Sequence, residues 1–238
     1  FTAKAADSGK QYRAVFTSTF GCGTSLTNAA TLTVSIDTTP PTISITSPAD
    51  GAFYVTGAAL TASYTCSDPG GTGVKTCVGT QQGGGVVNSG GSISTAAVGP
   101  RTFKVAASDN ANNQSGKAVR YTVGYAVSYA SPTVAPPGVN NIIALGIGLG
   151  HTSVKWKVTD AAGQAIAAAG TVTGISYKLN SSSAACSSFT MDPAGATAAS
   201  MSGANPRYNA GQRAWAYTWS LPGRGCYSLF ISLNSGQV

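Results

Sequence analysis

Asp7-Ser8-Gly9-Lys10-Gln11-Tyr12-Arg13-Ala14-Val15 is the stretch on which the reading of this chain turns. Around it, Tyr12, Ala14 and Phe16 alternate along one run, and Ala30, Leu32 and Val34 alternate along another. A period of two predicts β-strands with one apolar face. Residues 1–36 therefore read as the last two strands of a sandwich. Two strands alone cannot shield an apolar face from water. The expectation is that upstream residues or another molecule supply the missing strands.

The same period recurs downstream. Asp37-Thr38-Thr39-Pro40-Pro41 follows the first segment. Tandem prolines give up ladder donors and stiffen the chain, so this reads as a semi-rigid linker. From Thr42 to about Gly124 the pattern fits a complete small sandwich. Ile43 and Ile45 open it, and Leu60, Ala62, Tyr64 and Cys66 alternate along one strand. Val74 to Val78 forms the next, Phe103, Val105 and Ala107 line another, and Val119, Tyr121 and Val123 close it. Residues 125–141, with Pro132, Pro136 and Pro137, read as a second connector. The last segment, 142–238, resumes the alternation in Val154, Trp156 and Val158, in Trp215, Tyr217 and Trp219, and in Tyr227, Leu229, Ile231 and Leu233. Ala161-Ala162-Gly163 is a candidate hairpin turn. No stretch carries a capped helical period. The fold class expected is all-β, a tandem of sandwiches with the first incomplete.

Charged residues are only 9% of the 238, against roughly 25% in ordinary soluble domains. Glutamate is absent. Few charges keep copies apart, which favours side-by-side or end-to-end contact. The net charge of +7 invites a nucleic-acid reading. The bases are scattered, as in Arg101 and Lys104 or Lys155 and Lys157, and form no phosphate-tracking run. No nucleic-acid partner is expected. No membrane insertion is expected either, because the longest apolar stretch, Ile142 to Leu149, is short and broken by glycine.

The five cysteines are Cys22, Cys66, Cys77, Cys186 and Cys226. None forms a C-x-x-C pair, and His151 is the lone histidine, so zinc is not expected. Disulfides suit the chain better and imply an oxidising compartment. A short loop joins Cys66 to Cys77, and a bond there would clamp neighbouring strands. Cys186 and Cys226 form the natural second pair. Cys22 is left over, either as a free thiol or with a partner outside the chain.

The first segment resembles bacterial immunoglobulin-like repeats. Asp7-x-Gly9-x-x-Tyr12 is similar to a tyrosine corner, in which the phenol bonds the preceding turn. Ala14 stands where immunoglobulins place a core cysteine. Residues 37–124 resemble another repeat of that class. The matching features are Asp37-Thr38-Thr39-Pro40-Pro41, Tyr64-Thr65-Cys66-Ser67-Asp68, and Ala107-Ser108-Asp109-Asn110-Ala111-Asn112-Asn113. Asn112 takes the place of the usual glycine. Residues 142–238 are similar to the PxKF domain of bacterial secreted proteins. Ser153-Val154-Lys155-Trp156 replaces the naming motif, while Tyr217-Thr218-Trp219 and Gly225-Cys226-Tyr227 fit. Such domains run on past Leu233-Asn234-Ser235-Gly236, so this one reads as a strand short. The resemblance implies an extracellular location at the bacterial cell surface and no shared catalytic activity.

The chemistry-bearing residues are few. A serine triad would need His151, and no G-x-S-x-G elbow is present. Asp37, Asp68 and Asp109, helped by Asn110 or Asn112, are the candidate calcium ligands. The competing reading is that they cap turn amides. A Lys–Asn isopeptide bond lacks its usual glutamate. Trp215, Tyr217 and Trp219 suit sugar stacking or core packing, and packing is preferred. Tyr54, Tyr125 and Tyr129 are expected nearer the surface. The expected function is mechanical and non-catalytic, without cofactor. The chain would form a stalk or a head-to-tail filament, with copies of itself or neighbouring domains as partners, and strand complementation as the joint. An adhesin or accessory carbohydrate-binding region of a larger secreted enzyme, facing a surface glycan, is the alternative.

Overall fold

The computed structural model describes residues 2–21, 23–131, 150–181, 192–201, 205–220, 222–223 and 225–238. Strands dominate, and among the described residues the one helical element is a 3-10 turn, Ala5–Asp7. The chain is all-β and built of β-sandwiches, as its alternation predicts.

The leading segment holds β1 (Gln11–Tyr12), β2 (Val15–Thr17), β3 (Thr24–Leu26) and β4 (Ala30–Thr31). β1 pairs with β4 and β2 with β3, both antiparallel, so this is one broken hairpin. The break lies at Ala14. There the Thr27 hydroxyl accepts the Ala14 amide at 2.9 Å, and the Thr27 amide bonds the Ala14 carbonyl at 3.0 Å. A side chain thus stands in for a ladder bond, and the two predicted long strands become four short ones.

The middle segment holds β5 (Thr42–Ser47), β6 (Phe53–Val55), β7 (Ser63–Ser67), β8 (Val74–Gln81), β9 (Val86–Val87), β10 (Gly99–Asp109) and β11 (Gln114–Gly124). One sheet is β5-β7, and the other is β6-β11-β10-β8-β9. The third segment holds β12 (Ala126–Ser131), β13 (His151–Thr159), β14 (Val172–Ser181), β15 (Thr197–Ala198), β16 (Arg207–Asn209), β17 (Ala214–Ser220) and β18 (Cys226–Leu233). Its sheets are β12-β13-β17-β16 and β15-β14-β18.

By contacts the chain divides into two compact units. The first is Phe1–Ser44 with Thr65–Cys77 and Ala106–Gly116. It contains the leading hairpin and a Cys66–Cys77 disulfide with Cα atoms 6.0 Å apart. β7 and β8 belong to different sheets. The bond therefore ties sheet to sheet, correcting the expectation that it clamps adjacent strands.

The second unit is Ile45–Tyr64, Val78–Val105 and Lys117–Val238. It holds two apolar cores. In the first, Leu60, Ala62, Tyr64, Phe103, Val105, Val119, Tyr121 and Val123 are buried, following the predicted alternation. The Tyr64 hydroxyl donates to the Val87 carbonyl and accepts the Gly79 amide, both at 2.9 Å. Gly79 is required there, because a Cβ would meet the Val87 carbonyl and the rings of Tyr64 and Phe103. The other core packs Val154, Trp156, Val158, Trp215, Tyr217 and Trp219 against Tyr227, Leu229, Ile231 and Leu233.

Two expectations for the third segment need correction. The connector placed at 125–141 is strand β12 over Ala126–Ser131, paired with β13. Residues 132–141 lie outside the described residues. Tyr125 is itself buried in the core of the third segment, rather than near the surface, and Tyr54 and Tyr129 are half-buried. The Gln237 side chain reads the Tyr125 backbone from both sides. Its Oε1 accepts the Tyr125 amide at 2.7 Å, and its Nε2 donates to the Tyr125 carbonyl at 3.0 Å. β18 also departs from simple alternation, since Ser228 and Phe230 are as buried as their neighbours.

Candidate functional site

Two features stand out as places where chemistry or recognition could occur. The first is the acidic cluster. Asp37 precedes β5, Asp68 follows β7, and Asp109 ends β10. One carboxylate oxygen of each lies within 4.8 Å of the other two. All three residues belong to the first unit. The sequence named these residues, and the fold brings them together.

Turn amides hold each acid. Asp37 Oδ1 accepts the Thr39 amide at 2.9 Å, and its Oδ2 accepts the Thr72 amide at 2.7 Å and the Thr72 hydroxyl at 2.9 Å. These bonds, the Thr39 amide first and the Thr72 amide next, hold the Asp37 carboxyl below its ordinary pKa. Asp109 is fully buried, and its two oxygens accept the amide and the side-chain nitrogen of Asn113, each at 2.8 Å. Asp68 Oδ2 accepts the Gly73 amide at 2.8 Å. Asp68 Oδ1 is buried and has no hydrogen-bond partner among the described residues. Asn112 has φ 70°, which explains why glycine is usual at that place in the turn.

No cation offsets this charge among the described residues. The ion pair found there is Lys10–Asp7 at 2.6 Å. Lys75 turns instead to the Asn112 side chain at 3.0 Å. That Lys–Asn pair is exposed, in contrast to the buried setting an isopeptide bond needs. Thr72 and Asn113 were missed from sequence as organisers of the cluster. The run Gly70-Gly71-Thr72-Gly73 after Asp68 was the available signal.

The second feature is the leading hairpin. Val15 is 57% exposed, Phe16 62% and Phe20 92%, with Tyr12 and Leu26 also exposed. Tyr12, Ala30, Thr31 and Leu32 line an open apolar shelf. The turn that Tyr12 was expected to cap is present, with Lys10 N–H bonding the Asp7 carbonyl at 3.2 Å and Gly9 at φ 84°.

The other candidates fall elsewhere. His151 is exposed at the start of β13, with its Nδ1 2.9 Å from the Ser220 hydroxyl. No carboxylate joins that pair among the described residues. Trp215, Tyr217 and Trp219 are core residues, as preferred, and offer no sugar platform. Cys226 is buried and disulfide-bonded. Its expected partner Cys186, and Cys22, lie outside the described residues. No described helix is long and apolar enough to cross a membrane.

The sheet pairings define an all-β chain of β-sandwiches. No protein-family model matches the sequence, and no curated protein matches it. Among solved structures, the chain is similar to the fibronectin(III)-like modules of CbhA from Clostridium thermocellum. The identity is 14%, the match covers 82% of this chain and 88% of that one, and the TM-score is 0.29.

Proposed function

We propose that this chain is a non-catalytic structural module of the bacterial cell surface, whose leading hairpin is completed by strands of another copy or of a neighbouring domain of a longer chain. The observation that carries the reading is the hairpin itself: four short strands whose large apolar side chains face water. Exposed apolar groups clustered on a narrow ribbon are the usual mark of a docking surface. Low charge removes the repulsion that would keep copies apart. The Cys66–Cys77 bond fits an oxidising, extracellular setting.

In this reading the partner is a further copy or a neighbouring domain of the same kind. A head-to-tail contact does not close on itself, so copies joined this way make a stalk or filament. The family assignments proposed for the segments, immunoglobulin-like repeats followed by a PxKF-type domain, fit such an array. The accessory sugar-binding alternative loses the aromatic strand that would have served it, because Trp215 and Trp219 are enclosed.

Sedimentation velocity over a concentration series tests the proposal, together with negative-stain electron microscopy for an axial repeat. Burying a phenylalanine contributes about 2–3 kcal/mol, so Phe16→Asp is expected to weaken association roughly 30-fold or more. Association unchanged in that variant would refute the docking role of the hairpin.

A further inference from the structure

We infer that, within the second unit, the middle and third segments are locked into one rigid body, with Gln237 as the latch. This goes beyond the docking proposal and stands whether or not the hairpin finds a partner. Sandwiches joined in series through one linker ordinarily move against each other. Here a single residue, Tyr125, separates β11 from β12. Gly124 closes the ladder to β6 opposite Val55, and Tyr125 enters the core of the third segment.

The crossing is also gripped from the side. Gln237 follows β18 and bonds Tyr125 at both its amide and its carbonyl. Its carboxamide is itself oriented, because the Ser235 hydroxyl donates to Oε1 at 2.7 Å. The Leu233 amide donates to the Gln237 carbonyl at 2.8 Å, which closes the turn that presents the side chain. Gly124 leaves room for the grip. A Cβ there would run into Gln237 Oε1 and into the ring of Phe53. Side chains of both segments thus close over one bare backbone position.

Two further contacts oppose a swivel about Tyr125. Asp160 sets the turn after β13, with its Oδ1 accepting the Ala162 amide at 2.9 Å and the Gln164 amide at 2.8 Å. That turn aims the Ala161 amide at the Thr56 carbonyl, 2.9 Å away. Thr56 is buried and tied down, its amide donating to the Gly124 carbonyl at 2.7 Å and its hydroxyl to the Thr95 carbonyl at 3.0 Å. Val98, just before β10, packs against the core of the third segment. With the joint held at Gly124, Thr56 and Val98 together, a swivel breaks a hydrogen bond or uncovers apolar surface, and either costs free energy. A pull on one segment is therefore passed to the other rather than absorbed at a hinge.

Pulsed electron spin resonance on the full chain tests this. Genetically encoded spin labels replace the exposed Lys104 in β10 and Lys157 in β13. Labelled chain is diluted in excess unlabelled chain, so that only distances within one molecule count. A single narrow distance distribution is expected, and Gln237→Ala is expected to broaden it about twofold or more. Tryptophan fluorescence and the exchange protection of β10 are expected to stay unchanged in that variant, which separates a freed joint from a damaged sandwich. Gly124→Ala, which pushes the latch off from the other side, is expected to broaden the distribution likewise and carries the test if Gln237→Ala does not fold. A broad distribution in the labelled parent chain would overturn the rigid body. Parent width in the variants would overturn the latch.

Discussion

Removing the Cys66–Cys77 bond offers a quantitative check on the middle sandwich. The two cysteines are separated by 11 residues and join β7 in one sheet to β8 in the other. A bond closing so short a loop restricts the unfolded chain by about 9.5 cal/mol/K, or about 2.8 kcal/mol at 25 °C. Both cysteines are half-buried, so Cys66→Ala with Cys77→Ala adds only a small packing loss. The double variant is therefore expected to lose about 3 kcal/mol. In native-state hydrogen exchange this means about a hundredfold faster opening of the globally protected amides of β8 and β10. The three tryptophans, Trp156, Trp215 and Trp219, all lie in the third segment. Their fluorescence transition in urea is expected to move less than the exchange of β8 and β10. An acceleration below about threefold would refute the loop-entropy reasoning. An effect concentrated in β13 and β17 would refute the assignment of this bond to the middle sandwich.

Other outcomes follow from single groups. Tyr64→Phe strips partners from the Gly79 amide and the Val87 carbonyl, and is expected to lower stability by about 2 kcal/mol or more, read as a lower urea midpoint at unchanged slope. Trp156 is fully buried with no partner for its indole N–H among the described residues, so Trp156→Phe trades lost packing against a relieved donor and is expected within about 1 kcal/mol of wild type. A loss above about 3 kcal/mol there would show that the N–H has a partner. Acid is expected to loosen the Asp37 turn. Its folded pKa lies below the ordinary 3.8, so its contribution is present above that value and fades as pH falls through the lower, folded one. Asp37→Asn should flatten the fall, measured by melting between pH 5 and pH 2.

Much of the fold was legible because two-residue alternation reports a half-buried strand directly. Leu60–Ala62–Tyr64, Phe103–Val105–Ala107 and Val154–Trp156–Val158 point inward as their spacing demands. The pattern failed where burial is two-sided or where a long-range contact decides. β18 is covered on both faces, so Phe230 carries no alternation signal. β14 was overlooked even though Ile175, Tyr177 and Leu179 alternate with Ser176 and Lys178, because Thr173 and Gly174 leave its first half without an apolar run. Tyr125 looked like linker because Gln237, which brackets its backbone, lies 112 residues away. The acidic cluster was legible as three turn aspartates, since each stands in a recognisable turn motif. The calcium reading already supposed that they meet, but the way Thr72 and Asn113 fix the carboxylates was not legible, because no local spacing encodes those bonds.

A photoreactive residue in place of Phe16 tests the central claim most directly. Equal amounts of light- and heavy-isotope chain would be mixed, irradiated, and mapped by mass spectrometry. Light–heavy cross-links joining the hairpin of one copy to a sandwich of another are the result the account predicts. Cross-links confined to residues 37–238 of the same copy would contradict it.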